Sequence, residues 1–137
     1  MQELQILAVD PGREKCGLAV VHREQGPVYQ TVIETNKLTA TVTFLAQMHM
    51  LTTVVIGDGT TSRSAQQALK SVRMAGKALT VIPVGEYRST DEARKRYWQA
   101  HPPAGWKRLL PTTMLVPPVP VDDYVAVILA ERYFGKR

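Results

Sequence analysis

The chain has a single cysteine, Cys16, among its 137 residues. One thiol forms no internal disulfide and no cysteine-based zinc cage, and it fits a reducing, cytoplasmic setting. Long apolar runs are missing too, since none approaches the ~20 residues that span a bilayer. The opening Met-Gln-Glu-Leu-Gln has neither the basic start nor the apolar core of a signal peptide. The three histidines, His22, His49 and His101, show no metal-ligand spacing, and neither Ser62 nor Ser64 stands in a nucleophile elbow. Cys16 lies inside an apolar stretch, where a thiol packs rather than attacks. Nothing here supports a serine or cysteine hydrolase. Acidic charge is also scarce: twelve Asp and Glu against seventeen Lys and Arg leave a net charge of +5. That balance favours a polyanionic partner, because phosphate contacts supply most of the non-specific affinity for nucleic acid.

What is present is a series of short apolar segments. Residues 4–9 and 16–22 read as strands around a turn, and 28–34 alternates well enough for a third. Leu38, Val42, Leu45, Ala46 and Met50 recur at helical spacing and predict a helix over 38–50. Residues 52–57, TTVVIG, form a continuous apolar strand. Ser62 or Ser64 caps a helix carrying Ala65, Ala68, Leu69, Val72 and Ala75, which stops at Gly76. Residues 78–84 make the fifth strand. Ser89-Thr90-Asp91-Glu92 is a capping box that opens a helix over 90–100. Residues 101–121 hold six prolines and read as an ordered excursion, and 122–134 as a closing helix. The order βββαβαβα predicts an α/β domain over 1–137. It would hold a five-stranded mixed sheet, three strands as an antiparallel meander, with helices on both faces.

Four acidic positions stand at the ends of apolar elements. Asp10 ends the first strand, Asp58 follows the fourth, Glu86 follows the fifth, and Asp122 and Asp123 open the last helix. If the first strand runs parallel to the fourth and fifth, Asp10, Asp58 and Glu86 share one rim of the sheet. A helix start brought there adds Asp122. Clustered carboxylates repel and resist desolvation, and Mg²⁺ or Mn²⁺ removes that cost through oxygen ligands. Two such ions activate a water and stabilise the leaving oxygen of a phosphodiester. Each acid also has a plainer reading. Asp10-Pro11-Gly12 and Asp58-Gly59 are turn signals, and Asp122 and Asp123 suit a helix start. Because the last helix is apolar nearly all round, spacing does not choose between Asp122 and Asp123. Between Arg88 and Arg108 the cations Arg88, Arg94, Lys95, Arg96, Lys107 and Arg108 are interleaved with Tyr97, Trp98 and Trp106. Basic groups track phosphates and aromatics stack bases, although Tyr97 and Trp98 suit an inward face better.

Three motifs in order resemble the YqgF/RuvX-type nucleases of the ribonuclease-H-like superfamily, whose relatives include RuvC-type Holliday-junction resolvases. They are AVDPGREKCGLAVV, with Gly17 entering the second strand; VGEYRSTDEA, with Glu86, Arg88, Ser89, Thr90, Glu92 and Ala93 in register; and DDYVAVILAERYF, which favours Asp122. The chain departs from the pattern at Gly57-Asp58-Gly59, at Gly85 and in the proline-rich segment. The resemblance implies a ribonuclease-H-like fold and a nuclease using two Mg²⁺ or Mn²⁺ ions. Its substrate would be structured RNA, as in ribosomal RNA maturation, or branched DNA. Asp10 would bridge the ions, Glu86 and Asp122 would each hold one, and Asp123 or Asp58 would assist. Arg88 and Thr90 would orient Glu86 or contact phosphate, while Arg13, Lys15, Arg63, Lys107 and Arg108 steer the nucleic acid. Gly17 would let the hairpin approach the substrate backbone. A junction substrate needs two active sites and hence a symmetric homodimer. Two other classes compete. The Asp10, Gly12, Gly17 spacing also resembles the phosphate hairpin of actin-like ATPases, which need two lobes. A non-catalytic nucleic-acid-binding protein could keep the fold without hydrolysis.

Overall fold

In the computed structural model, which describes residues 3–111 and 114–135, apolar runs become the inner strands of one sheet. Strands β1 (Gln5–Asp10), β2 (Lys15–His22) and β3 (Gly26–Glu34) form the antiparallel meander. A 3-10 turn, Thr35–Lys37, leads into helix α1 (Leu38–His49). Strand β4 (Thr53–Gly57) follows, then α2 (Ser62–Leu69), a small hairpin β5 (Arg73–Met74) and β6 (Lys77–Ala78), and strand β7 (Thr80–Val84). Helix α3 (Ser89–Ala100), the 3-10 turn Gly105–Leu109 and helix α4 (Asp122–Tyr133) complete the order. The five-stranded sheet is ordered β3-β2-β1-β4-β7, with β1, β4 and β7 mutually parallel. The predicted mixed sheet is present.

Strand periodicity explains the two-sided core. Leu7 and Val9 point to one face with Leu18, Val20, Val54 and Ile56, where they meet Val42, Leu45 and Ala46 of α1. Ile6 and Ala8 point to the other with Ala19, Val21 and Val55, against Ala126, Val127 and Ala130 of α4. Both faces of β1 are covered, so its sequence runs apolar instead of alternating.

Two local expectations are corrected. Helix α2 ends at Leu69 and does not reach Gly76, because the chain turns back at Ala75–Gly76, both at positive φ, to pair β5 with β6. The capping box does not close. Arg88 precedes α3 in the left-handed region at φ 59, and no side chain caps the first turn. The Ser89 hydroxyl instead donates to the Glu86 carbonyl at 2.6 Å. No described helix is long and apolar enough to cross a membrane.

Candidate active site

Parallel pairing of β1, β4 and β7 puts their carboxyl ends on one edge, and each is followed by an acid. Asp10 is the last residue of β1, in register with Gly17 of β2. Gly17 is where α4 docks. A Cβ there would collide with the backbone of Asp122 and Asp123. The glycine therefore makes room for the chain's own helix, not for a substrate backbone, and the start of α4 lands beside Asp10.

The same device recurs at Glu86. Side chains added at Gly57 and Gly59 would strike the Glu86 carboxylate, and the one at Gly57 would also press on Leu129. The Glu86 side chain thus lies back across the end of β4. Its backbone is fixed as well. The Glu86 N–H donates to Asp58 Oδ1 at 3.3 Å, and its carbonyl accepts from the Ser89 N–H at 2.9 Å and from the Ser89 hydroxyl.

The electrostatics report the convergence. Asp10 is pushed up from 3.8 to about 7, by burial first and then by the neighbouring charges of Asp122 and Glu86. Glu86 is raised by burial and by Asp58. Asp122 is raised by burial and by Asp123, with Lys15 pulling in the opposite direction. Three acids therefore share one field, with Asp58, Asp123 and Lys15 at its margin. Asp123 accepts a 2.9 Å bond from Gln30 on β3, which orients it towards the meander. Among the described residues no three His, Cys, Asp or Glu side chains form a ready-made metal cage. The donor set is nonetheless all carboxylate oxygen around a half-buried, repelled Asp10, the chemistry of an open site for a hard divalent cation.

The basic candidates are exposed and come from several elements. Arg13 is exposed in the β1–β2 loop, beside a cavity of ≈ 240 Å³ that also touches Thr35, Thr61 and Ser64. Arg63 lines a groove of ≈ 420 Å³ with Asp58, Gly59, Thr60 and Ser62. Arg88 is exposed with its guanidinium 5.5 Å over the Tyr87 ring. Thr90 is exposed on α3, and its neighbour Ser89 makes the bond to Glu86. Lys107 and Arg108 are exposed on the 3-10 turn next to Trp106, which is also exposed. Tyr97 is buried, its ring edge-on to Trp98 and stacked on His101.

Two contributions escaped the sequence reading. Gly57 reads as the end of a strand and Gly59 as part of a turn, yet they form the bed of Glu86. Arg132, on the last turn of α4, donates to the carbonyls of Gly85 and Tyr87. An isolated arginine on a helix carries no signal for such a reach.

No protein-family model and no curated protein matches the chain. Solved structures do. The Thermus thermophilus RuvC structure aligns with a TM-score of 0.60 at 15% identity, over 96% of this chain and 97% of that one. T. thermophilus RuvC in complex with a Holliday junction substrate aligns with a TM-score of 0.57 at 16% identity, over 92% and 90%. The likeness runs over nearly the full length of both chains, and with its five-stranded mixed sheet this chain has the ribonuclease-H-like fold of RuvC.

Proposed function

We propose that the protein is a divalent-metal-dependent nuclease that hydrolyses phosphodiester bonds of structured nucleic acid, with branched DNA as its first candidate substrate. One observation carries the reading. The ends of β1 and β7 and the start of α4 bring Asp10, Glu86 and Asp122 into one electrostatic field, where burial and mutual repulsion raise Asp10 to about 7. A carboxylate held that way stabilises nothing on its own. Its use is to meet a cation.

Asp10, Glu86 and Asp122 would hold Mg²⁺ or Mn²⁺, with Asp58 or Asp123 assisting. Bound there, such ions supply an activated water and stabilise the leaving oxygen of an in-line displacement. The chain's own residues do the rest. Asp10 keeps its proton at mildly acidic pH and releases it only near neutrality, so cation binding competes with protonation there. Arg13 and Arg63, both exposed, would draw phosphates to the site, and Lys15 lies near Asp122 to offset its charge. The branched-DNA preference rests on the whole-length fold likeness to a RuvC whose structure was solved with a Holliday junction substrate. Resolution of a four-way junction would require a second copy of the chain, because two strands are cut.

The test is a cleavage assay on four-way DNA junctions and on structured RNA, titrated with Mg²⁺ and Mn²⁺, with Asp10→Asn alongside. Cleavage should need the metal and fall by about 10³-fold or more in the variant. Activity that survives chelation, or an undiminished Asp10→Asn, defeats the proposal. Binding without cleavage in every metal would turn the reading to a nucleic-acid-binding protein.

A further inference from the structure

We infer that Arg132 is the positioning residue for Glu86, so that α4 sets two of the three acids of the site at once, Asp122 by its first residue and Glu86 by its last turn. This rests on the nuclease reading above. Arg132 stands nearly three turns beyond Asp122, roughly 15 Å along the helix axis, and its guanidinium returns to the β7–α3 connection. There Nη1 donates to the Gly85 carbonyl at 2.8 Å and Nη2 to the Tyr87 carbonyl at 2.8 Å, the two carbonyls that flank Glu86. Nη2 also reaches Glu92 Oε1 on α3 at 3.1 Å.

The connection needs such a brace. Gly85 has no side chain to pack and is exposed, which leaves its backbone free to move. Arg88 sits in the left-handed region, a conformation that costs a non-glycine residue and persists only where its surroundings impose it. Asp58 and Ser89 secure the N–H and carbonyl of Glu86 itself, but both belong to segments that adjoin the same exposed edge. Arg132 alone of these ties the connection to the buried helix that carries Asp122. A planar guanidinium can serve two carbonyls at once, whereas an ammonium presents a point charge. Its role is therefore geometric, and it reaches Glu86 through the backbone on either side of that residue.

A merely structural role would have Arg132 staple α3 to α4, and that alternative has its own control. Arg96 already joins these helices through a two-pronged pair with Glu131, one prong at 2.7 Å. Glu131→Gln loosens that pair without touching residues 85–87, and Glu92→Gln removes only the α3 arm of Arg132. Mn²⁺ binding by the nucleic-acid-free protein, measured by calorimetry, is read beside junction cleavage and the thermal midpoint. Arg132→Met should weaken Mn²⁺ binding about tenfold and lower kcat per folded molecule at least as much, with KM for the junction unchanged. Arg132→Lys should recover part of both, while the two glutamate variants keep wild-type Mn²⁺ affinity. Wild-type Mn²⁺ affinity and kcat in Arg132→Met overturn the inference, as does a loss confined to KM. Should Arg132→Met fail to fold, Arg132→Lys decides: reduced Mn²⁺ affinity in the folded protein supports the brace, and wild-type affinity overturns it. A wild-type protein that cleaves nothing would instead remove the nuclease reading, leaving the Mn²⁺ titration to judge Arg132.

Discussion

Asp10 is the residue at which folding and function pull apart. Its carboxyl is raised from 3.8 to about 7, first by burial and then by Asp122 and Glu86. Below 3.8 both the folded and unfolded chains hold the proton. Between 3.8 and about 7 the folded chain keeps it while the unfolded chain gives it up, so stability falls as pH rises, and it levels off above that range. Each unit of raised pKa corresponds to about 1.4 kcal/mol, so the metal-free protein at pH 8 gives up on the order of a few kcal/mol of stability at this residue. Glu86 and Asp122 are raised as well and act with the same sign. Asp10→Asn removes the titration. Thermal midpoints of the two proteins should therefore lie close at pH 4 and separate by pH 8, with the variant the more stable. Excess Mn²⁺ at pH 8 should close the gap by raising only the wild type. Parallel pH profiles, or a metal shift that survives in Asp10→Asn, would contradict the site.

At the scale of elements, what could be read from the chain is what local pattern encodes. The meander, α1, β4, β7 and the two last helices appear within a residue or two of their predicted bounds, because apolar periodicity spans each of them. The β5–β6 hairpin did not, since two-residue strands have no period, and α2 was overextended across it because Val72 and Ala75 happen to continue its spacing. The capping box failed for a tertiary reason: Ser89 is drawn to Glu86, and Arg88 takes the strained entry. Asp122 and Asp123 could not be told apart because Val125 to Ala130 are buried on every side of α4. What separates them is long-range, Gly17 under Asp122 on one hand and Gln30 holding Asp123 on the other. This makes the glycines a test of how elements are joined. Gly17→Ala drives a methyl into the backbone of α4, which has no rotamer to escape by, and should cost about 1–3 kcal/mol in urea unfolding. Gly59→Ala meets only the movable Glu86 carboxylate. It should unfold like the wild type yet cleave at least about tenfold more slowly. Equal stability losses in the two variants would mean that Glu86 is not what Gly59 accommodates.

On the scale of the whole molecule, the acids occupy a small part of a surface whose net charge is +5. On the proposed nuclease reading the two sets of charges would have separable duties, a cation at the acids acting on the reacting bond and Lys and Arg acting through the counterions of the nucleic acid. Arg13 comes from the β1–β2 loop and Arg63 from α2, so the two cations are held by different elements. Each phosphate that a cation neutralises adds about 0.9 to the slope of log affinity against log salt on duplex DNA. Arg13→Gln with Arg63→Gln should therefore flatten that slope by about 1.8 for four-way junctions. Metal-dependent turnover at saturating junction should stay near wild type, since among the described residues neither side chain forms an ion pair with Asp10, Glu86 or Asp122. A symmetric dimer on the junction doubles the effect, because each copy brings its own pair and both engage one substrate. Sedimentation of the complex gives the copy number, and the salt titration gives the slope per copy. An unchanged slope would remove Arg13 and Arg63 from the path of the nucleic acid. Flattening by half the expected amount per copy would leave only one of them on it.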